Sequence, residues 1–74
     1  MTQTPSPLFK VVQAIEEKGH VAAIFLRGNA NYMVESITSD PNLPGLWICT
    51  GTKGHKIIID ESCVTSVVEH ESQP

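Results

Sequence analysis

Basic side chains are scarce in this chain: five lysines and arginines stand against eight aspartates and glutamates, a formal net charge of −3. That balance excludes a broadly electropositive nucleic-acid binder, so any contact with phosphates has to come from a local patch. Cysteine is as sparse. Cys49 and Cys63 are the only two, which allows one bridge at most, and with His20, His55 and His70 they form no CxxC, HxxxH or HExxH pattern. No metal or other cofactor is expected. No apolar run approaches the roughly 18 residues of a membrane span, and the start, MTQTPSPLFK, lacks a basic segment followed by a long apolar one. The chain is therefore expected to be cytoplasmic, with free thiols and no membrane partner. Catalytic patterns are missing too. No glycine-rich phosphate loop follows a strand-like run, Asp60 and Glu61 are adjacent rather than separated as an acid/base pair, and the same carboxylates would raise the pKa of the Cys63 thiol rather than lower it. An enzyme is not expected.

What is present describes one small domain. At 74 residues and 41% hydrophobic content, a single core is close to the lower limit of sufficiency, and chains of this size often gain stability by oligomerising. Leu8, Val11, Val12 and Ile15 recur at helical spacing, and Phe9 widens the stripe. Ser6 suits the N-cap, Pro7 the first helical position and Gly19 the C-cap, so a helix is predicted from about Pro7 to Lys18. Too short to stand alone, it must dock on the rest. The rest reads as five strands, HVAAIFLR, NYMVESITS, LWICTGT, HKIIID and VTSVVE. Arg27-Gly28-Asn29 and Gly51-Thr52-Lys53-Gly54 supply hairpin turns, and DPNLPG a longer loop. Val21 to Leu26, and Ile57, Ile58 and Ile59, are apolar at every position, which implies cover on both faces.

Five short antiparallel strands cannot bury their apolar faces as a flat sheet. The acidic triplet Asp60-Glu61-Ser62, between two apolar runs, is the size of break that lets a strongly bent sheet turn back on itself. The predicted fold is mainly β: an N-terminal α-helix followed by a five-stranded, strongly bent antiparallel small barrel over 7–69, with residues 1–6 and 70–74 as flexible tails. A polar hairpin loop in another α+β domain remains the alternative for the triplet.

This order of elements, with VAAIFLRGN as first strand and turn and ESCVTSVV matching the segment KHAISTVV of the Hfq-like branch, resembles the Sm-like family. Asp40 and Asn42 fall near the Asp and Asn of its first motif. SH3-like and Tudor-like barrels share much of the pattern. The resemblance implies a ring-forming module that contacts single-stranded RNA. Two departures matter. Where the family has basic or backbone-exposing residues around the ring pore, Asp60, Glu61 and Ser62 would repel phosphate, and the glycine that bends the family's second strand is replaced by the run Tyr32, Met33 and Val34.

RNA contact is accordingly expected at the hairpin tips: Arg27, Asn29 and Asn31 on one, Lys53, His55 and Lys56 on the other, with Asn42 on the loop between them. The two tips make one positive patch if they lie at the same end of the barrel. Tyr32 and Trp47 are aromatics that could stack on bases, although Trp47, between Leu46 and Ile48, reads as core. Subunit contacts are expected along strands four and five, at Ile57, Ile58, Ile59, Val64 and Val67, pairing head to tail into a homo-oligomeric ring. The competing function is a protein-interaction adaptor of SH3-like barrel type without nucleic-acid binding, favoured by the acidic balance.

Overall fold

A computed structural model describes residues 6–71. It contains helix α1 (Pro7–Glu17), strands β1 (Val21–Leu26), β2 (Asn31–Thr38), β3 (Leu46–Gly51) and β4 (Lys56–Asp60), a single 3-10 turn η1 (Glu61–Cys63), and β5 (Val64–His70). The five strands form one antiparallel sheet in the order β4-β3-β2-β1-β5. Ser6 and His70, expected in the tails, belong to the folded part as helix cap and last strand residue. Glu71 follows His70, exposed and outside any element, and residues 1–5 and 72–74 lie outside the described residues. Among the described residues no helix is long and apolar enough to cross a membrane.

The helix starts and stops where its cap residues dictate. Ser6 is extended, and its Oγ accepts a hydrogen bond from the Phe9 amide at 3.1 Å, while Pro7 occupies a position whose amide has no intrahelical partner. At the other end Gly19 takes a φ of 76°, which lets the His20 amide reach the Ile15 carbonyl and the Gly19 amide the Glu16 carbonyl, a paired closure of the last turn. The buried face is Phe9, Val12 and Ile15, and Leu8 is half-buried. Val11, placed on the apolar stripe by its spacing, is 44% exposed. The face is rotated toward Phe9 because its ring packs edge-on against Trp47, with centroids 5.9 Å apart.

The core lies between this helix face and the concave face of the sheet, and contains Ala22, Ile24, Val34, Ile37, Trp47, Cys49, Ile57 and Ile59. β2 bends between its two halves. Val34 pairs with Gly51 but Ser36 pairs with Thr50, so Glu35 is an extra residue bulged out of the ladder. The bend that the family draws from a glycine comes here from a bulge. It explains why Val34 and Ile37, three apart, both face inward. Beyond Val34 β1 no longer covers β2, and the Ile37 amide is satisfied instead by the Glu16 carboxylate of α1 at 2.9 Å. A second bulge, at Thr65, lies where Phe25 pairs with Ser66 but Leu26 with Val64, and the Thr65 hydroxyl donates to the Phe25 carbonyl at 3.1 Å.

β4 and β5 are the two outer strands of the sheet, yet only Glu61, Ser62 and Cys63 separate them in the chain. A three-residue span can join opposite edges only if the sheet is curled until those edges approach. The result is barrel-like but not closed, with no ladder between β4 and β5. Cover on both faces holds for Val21, Ala22, Ala23 and Ile24, which are all buried. It fails at Phe25, which is 37% exposed at the far end of the same strand, and at Ile58, which is 57% exposed. Among the described residues β4 has a neighbouring strand on one side only, and the Ile58 side chain on its convex face is left uncovered.

Candidate functional site

The hinge is built from hydrogen bonds that converge on Asp60, Glu61, Ser62 and Cys63. The Asp60 Oδ1 atom accepts from the Ser62 amide at 2.9 Å and from the Ser62 hydroxyl at 2.8 Å, which caps η1. The Glu61 amide donates to the Gly45 carbonyl at the end of the β2–β3 loop. On the other side the Arg27 amide donates to the Cys63 carbonyl at 3.0 Å, and the Arg27 Nη2 group to the Ser62 carbonyl at 2.7 Å. Asp60, Glu61 and Ser62 therefore hold the ends of β1 and β3 together.

The Ser62 hydroxyl holds the Asp60 carboxyl below its ordinary value of 3.8, the Ser62 amide adds to this, and the Arg27 charge acts in the same direction. Replacing Asp60 by Ala is expected to lower the unfolding midpoint by a few degrees at neutral pH, and by Asn, which still caps, by less. Because the carboxyl is depressed in the folded state, its contribution is present above pH 3.8 and is lost as the pH falls through the folded value. Thermal melts of the wild type and of Asp60→Ala should converge in acid; a gap that is the same at every pH would refute this role.

This geometry separates the two basic hairpin tips. Arg27 lies at the hinge, against the C-terminal end of β4, whereas Lys53, His55 and Lys56 surround the N-terminal end of the same strand. Four residue steps of about 3.3 Å, roughly 13 Å of strand, lie between Lys56 and Asp60. The single patch that follows from a shared end is not formed. The bend in β2 swings the β1–β2 tip over the hinge, where the Arg27 charge faces Asp60. Asn29 (φ 68°) and Gly28 (φ 83°) make that tip, with Asn31 exposed at the start of β2 opposite Phe25. Asn42 is exposed in a loop folded around Asp40, whose side chain accepts from the Asn42 amide at 2.9 Å and whose carbonyl accepts from the Leu43 amide.

The β3–β4 tip keeps three basic side chains together. The Gly54 amide donates to the Gly51 carbonyl and the Gly51 amide to the His55 carbonyl, which makes a tight three-residue connection. The His55 ring lies directly over Gly51, where a Cβ would collide with it. Lys53, His55 and Lys56 are all exposed. Tyr32 is 40% exposed near the other tip, while Trp47 is 2% exposed and belongs to the core.

Of the expected interface residues, Ile57 and Ile59 point into the core, Val64 and Val67 are half-buried against it, and Ile58 alone presents its side chain to solvent. Cys49 is buried, which pushes its thiol up to about 11, and Cys63 is half-buried; both are free. Among the described residues no three His, Cys, Asp or Glu side chains gather as a metal site. The one ionic cluster that sequence spacing did not reveal joins the start of β1 to the end of β5: His20 Nδ1 lies 2.6 Å and Lys18 Nζ 3.4 Å from the Glu69 carboxylate. The His20 hydrogen bond, more than the Lys18 charge, holds the Glu69 carboxyl below its ordinary value. Compared with family models, curated proteins and solved structures, the chain finds no match.

Proposed function

We propose that this chain is a Sm-like binding module that contacts single-stranded RNA through the β3–β4 tip and works as an assembly of copies joined at their open sheet edges. The observation that carries the reading is the one-turn hinge, which leaves β4 and β5 as opposite, unpaired edges of a curled five-stranded sheet behind an N-terminal helix. Pairing of such edges between copies satisfies backbone groups that are otherwise open. The ring that the resemblance implies, β4 of one copy against β5 of the next, is one way to do so. The RNA surface is narrower than the resemblance implies. The acidic hinge repels phosphate and Arg27 is bound to it, so Lys53 and His55, with Lys56 beside them, supply the contact.

Binding of oligo-U or oligo-A, followed by fluorescence anisotropy, should weaken steeply with salt. Lys53→Glu should lower the affinity several-fold and reduce the slope of log affinity against log salt by about 1. No association at low salt would refute the RNA reading. One observation favours a second reading, an adaptor that receives a partner's strand: Ile58, the most exposed of the large apolar side chains, sits on an edge strand of an acidic protein. That reading predicts a partner retained after nuclease treatment and purified protein with no nucleic-acid absorbance.

A further inference from the structure

The β4 edge is self-complementary. The Gly51 amide bonds to the His55 carbonyl and the Glu61 amide to the Gly45 carbonyl. In an antiparallel ladder, bonded and non-bonded pairs alternate, so the residues of β4 that bond to β3 are Ile57 and Ile59. Lys56 and Ile58, opposite Thr50 and Ile48, turn their amides and carbonyls outward to the open edge, and Asp60, opposite Leu46, turns its amide there while its carbonyl, as the N-cap of η1, opens that turn. Their side chains share the exposed convex face. The outward set therefore reads Lys, Ile, Asp, a basic and an acidic residue placed symmetrically about an apolar one.

We infer that β4 pairs with β4 of a second copy of this chain, antiparallel about a twofold axis at Ile58, with Lys56 of each copy opposite Asp60 of the other. Of the antiparallel registers open to the outward groups, this one engages all three residues, with two backbone bonds at the Ile58 pair and one from each Asp60 amide to the facing Lys56 carbonyl. It brings opposite charges together at both ends, and it sets Ile58 against its counterpart, extending an apolar row from the half-buried Ile48 of each copy. Among the described residues neither charge is held in an ion pair, although the Arg27 charge faces Asp60. Both Ser62 bonds to Asp60 fall on Oδ1, leaving Oδ2 for a lysine. The inference rests on reading the open edges as assembly surfaces and not on RNA contact. It replaces head-to-tail growth at β4 with a closed pair. Lys56 then serves the interface and Lys53 and His55 the nucleic acid.

The contact is short, so association should be weak and concentration-dependent. Sedimentation and light scattering on the full chain from micromolar to millimolar concentration should show a monomer–dimer equilibrium. Lys56→Asp, which sets two acidic residues opposite each other at each end, should weaken it at least about tenfold. Asp60→Asn keeps the cap of η1. It should weaken the wild-type dimer but strengthen the Lys56→Asp one, an inversion of sign that only opposed positions 56 and 60 produce. Amide exchange adds a readout independent of variants: protection of Ile58 and Asp60 should rise with concentration while the outer edge of β5 stays open. A monomer at millimolar concentration, a ring mass with both edges protected, or an Asp60→Asn effect of one sign in both backgrounds would overturn the inference. Lys53→Glu should leave the dimer unchanged while lowering RNA affinity, which separates a failed interface from a failed RNA reading.

Discussion

Deleting Glu35 is expected to destabilise the domain by roughly 3 kcal/mol or more, although the residue is exposed and makes no side-chain hydrogen bond. The deletion leaves every other pairing of β2 and β3 possible, and Val34 and Ile37 still face inward. What it removes is the kink. A straighter β2 carries β3 and β4 away from β1 and β5, and the three residues of η1 then have to span a gap they cannot reach. The bonds from Arg27 to Ser62 and Cys63 break together, and the concave face around Trp47 opens to water. Glu35→Ala keeps the extra residue and should change stability by no more than about 0.5 kcal/mol. Urea unfolding followed by circular dichroism tests the pair. Equal losses for deletion and substitution would mean that the side chain matters, and no loss for either would mean that the bend has another origin.

This bulge also shows where the sequence was legible and where it was not. Elements bounded by local chemistry were readable: Ser6 and Gly19 frame the helix, Gly28-Asn29 and the Gly51–Gly54 turn separate strands, and Asp60 and Ser62 make the hinge through contacts only two residues apart. The bend of β2 carries no glycine to announce it; its mark in the sequence is the three-residue spacing of Val34 and Ile37. Features set by the path of the whole sheet left no local trace. The Glu16 bond to Ile37 exists because β1 stops short of the end of β2, and no property of either residue announces it. The two basic tips look alike in sequence, and only the curl of the sheet assigns one to the acidic hinge and leaves the other in solvent. The run Ile57-Ile58-Ile59 suggests two covered faces, but an edge strand alternates, burying two of the three.

The largest loss from a single substitution is expected at Trp47. Its ring is 2% exposed, packs edge-on against Phe9, and sits on β3 between the helix and the inner residues of β4. Truncation of a buried Trp to Ala costs about 3–5 kcal/mol, the lost transfer energy plus the cavity left behind. A chain of 74 residues has roughly 4–11 kcal/mol of total stability, so Trp47→Ala removes about a quarter of it or more, and toward the low end of that range it leaves a substantially unfolded population at physiological temperature. Trp47→Phe keeps an aromatic in the slot and should lose less. The pair also decides what the aromatic is for. A base-stacking residue can be exchanged for Ala without unfolding the protein, at the expense of RNA affinity; a core residue cannot. Trp47→Phe with unchanged RNA affinity and a lowered unfolding midpoint would place Trp47 wholly in the core. The opposite result, a stable Trp47→Ala protein that no longer binds oligo-U, would move the RNA surface from the β3–β4 tip to the concave face, and Phe9 and α1 would then have to swing aside for the base to enter.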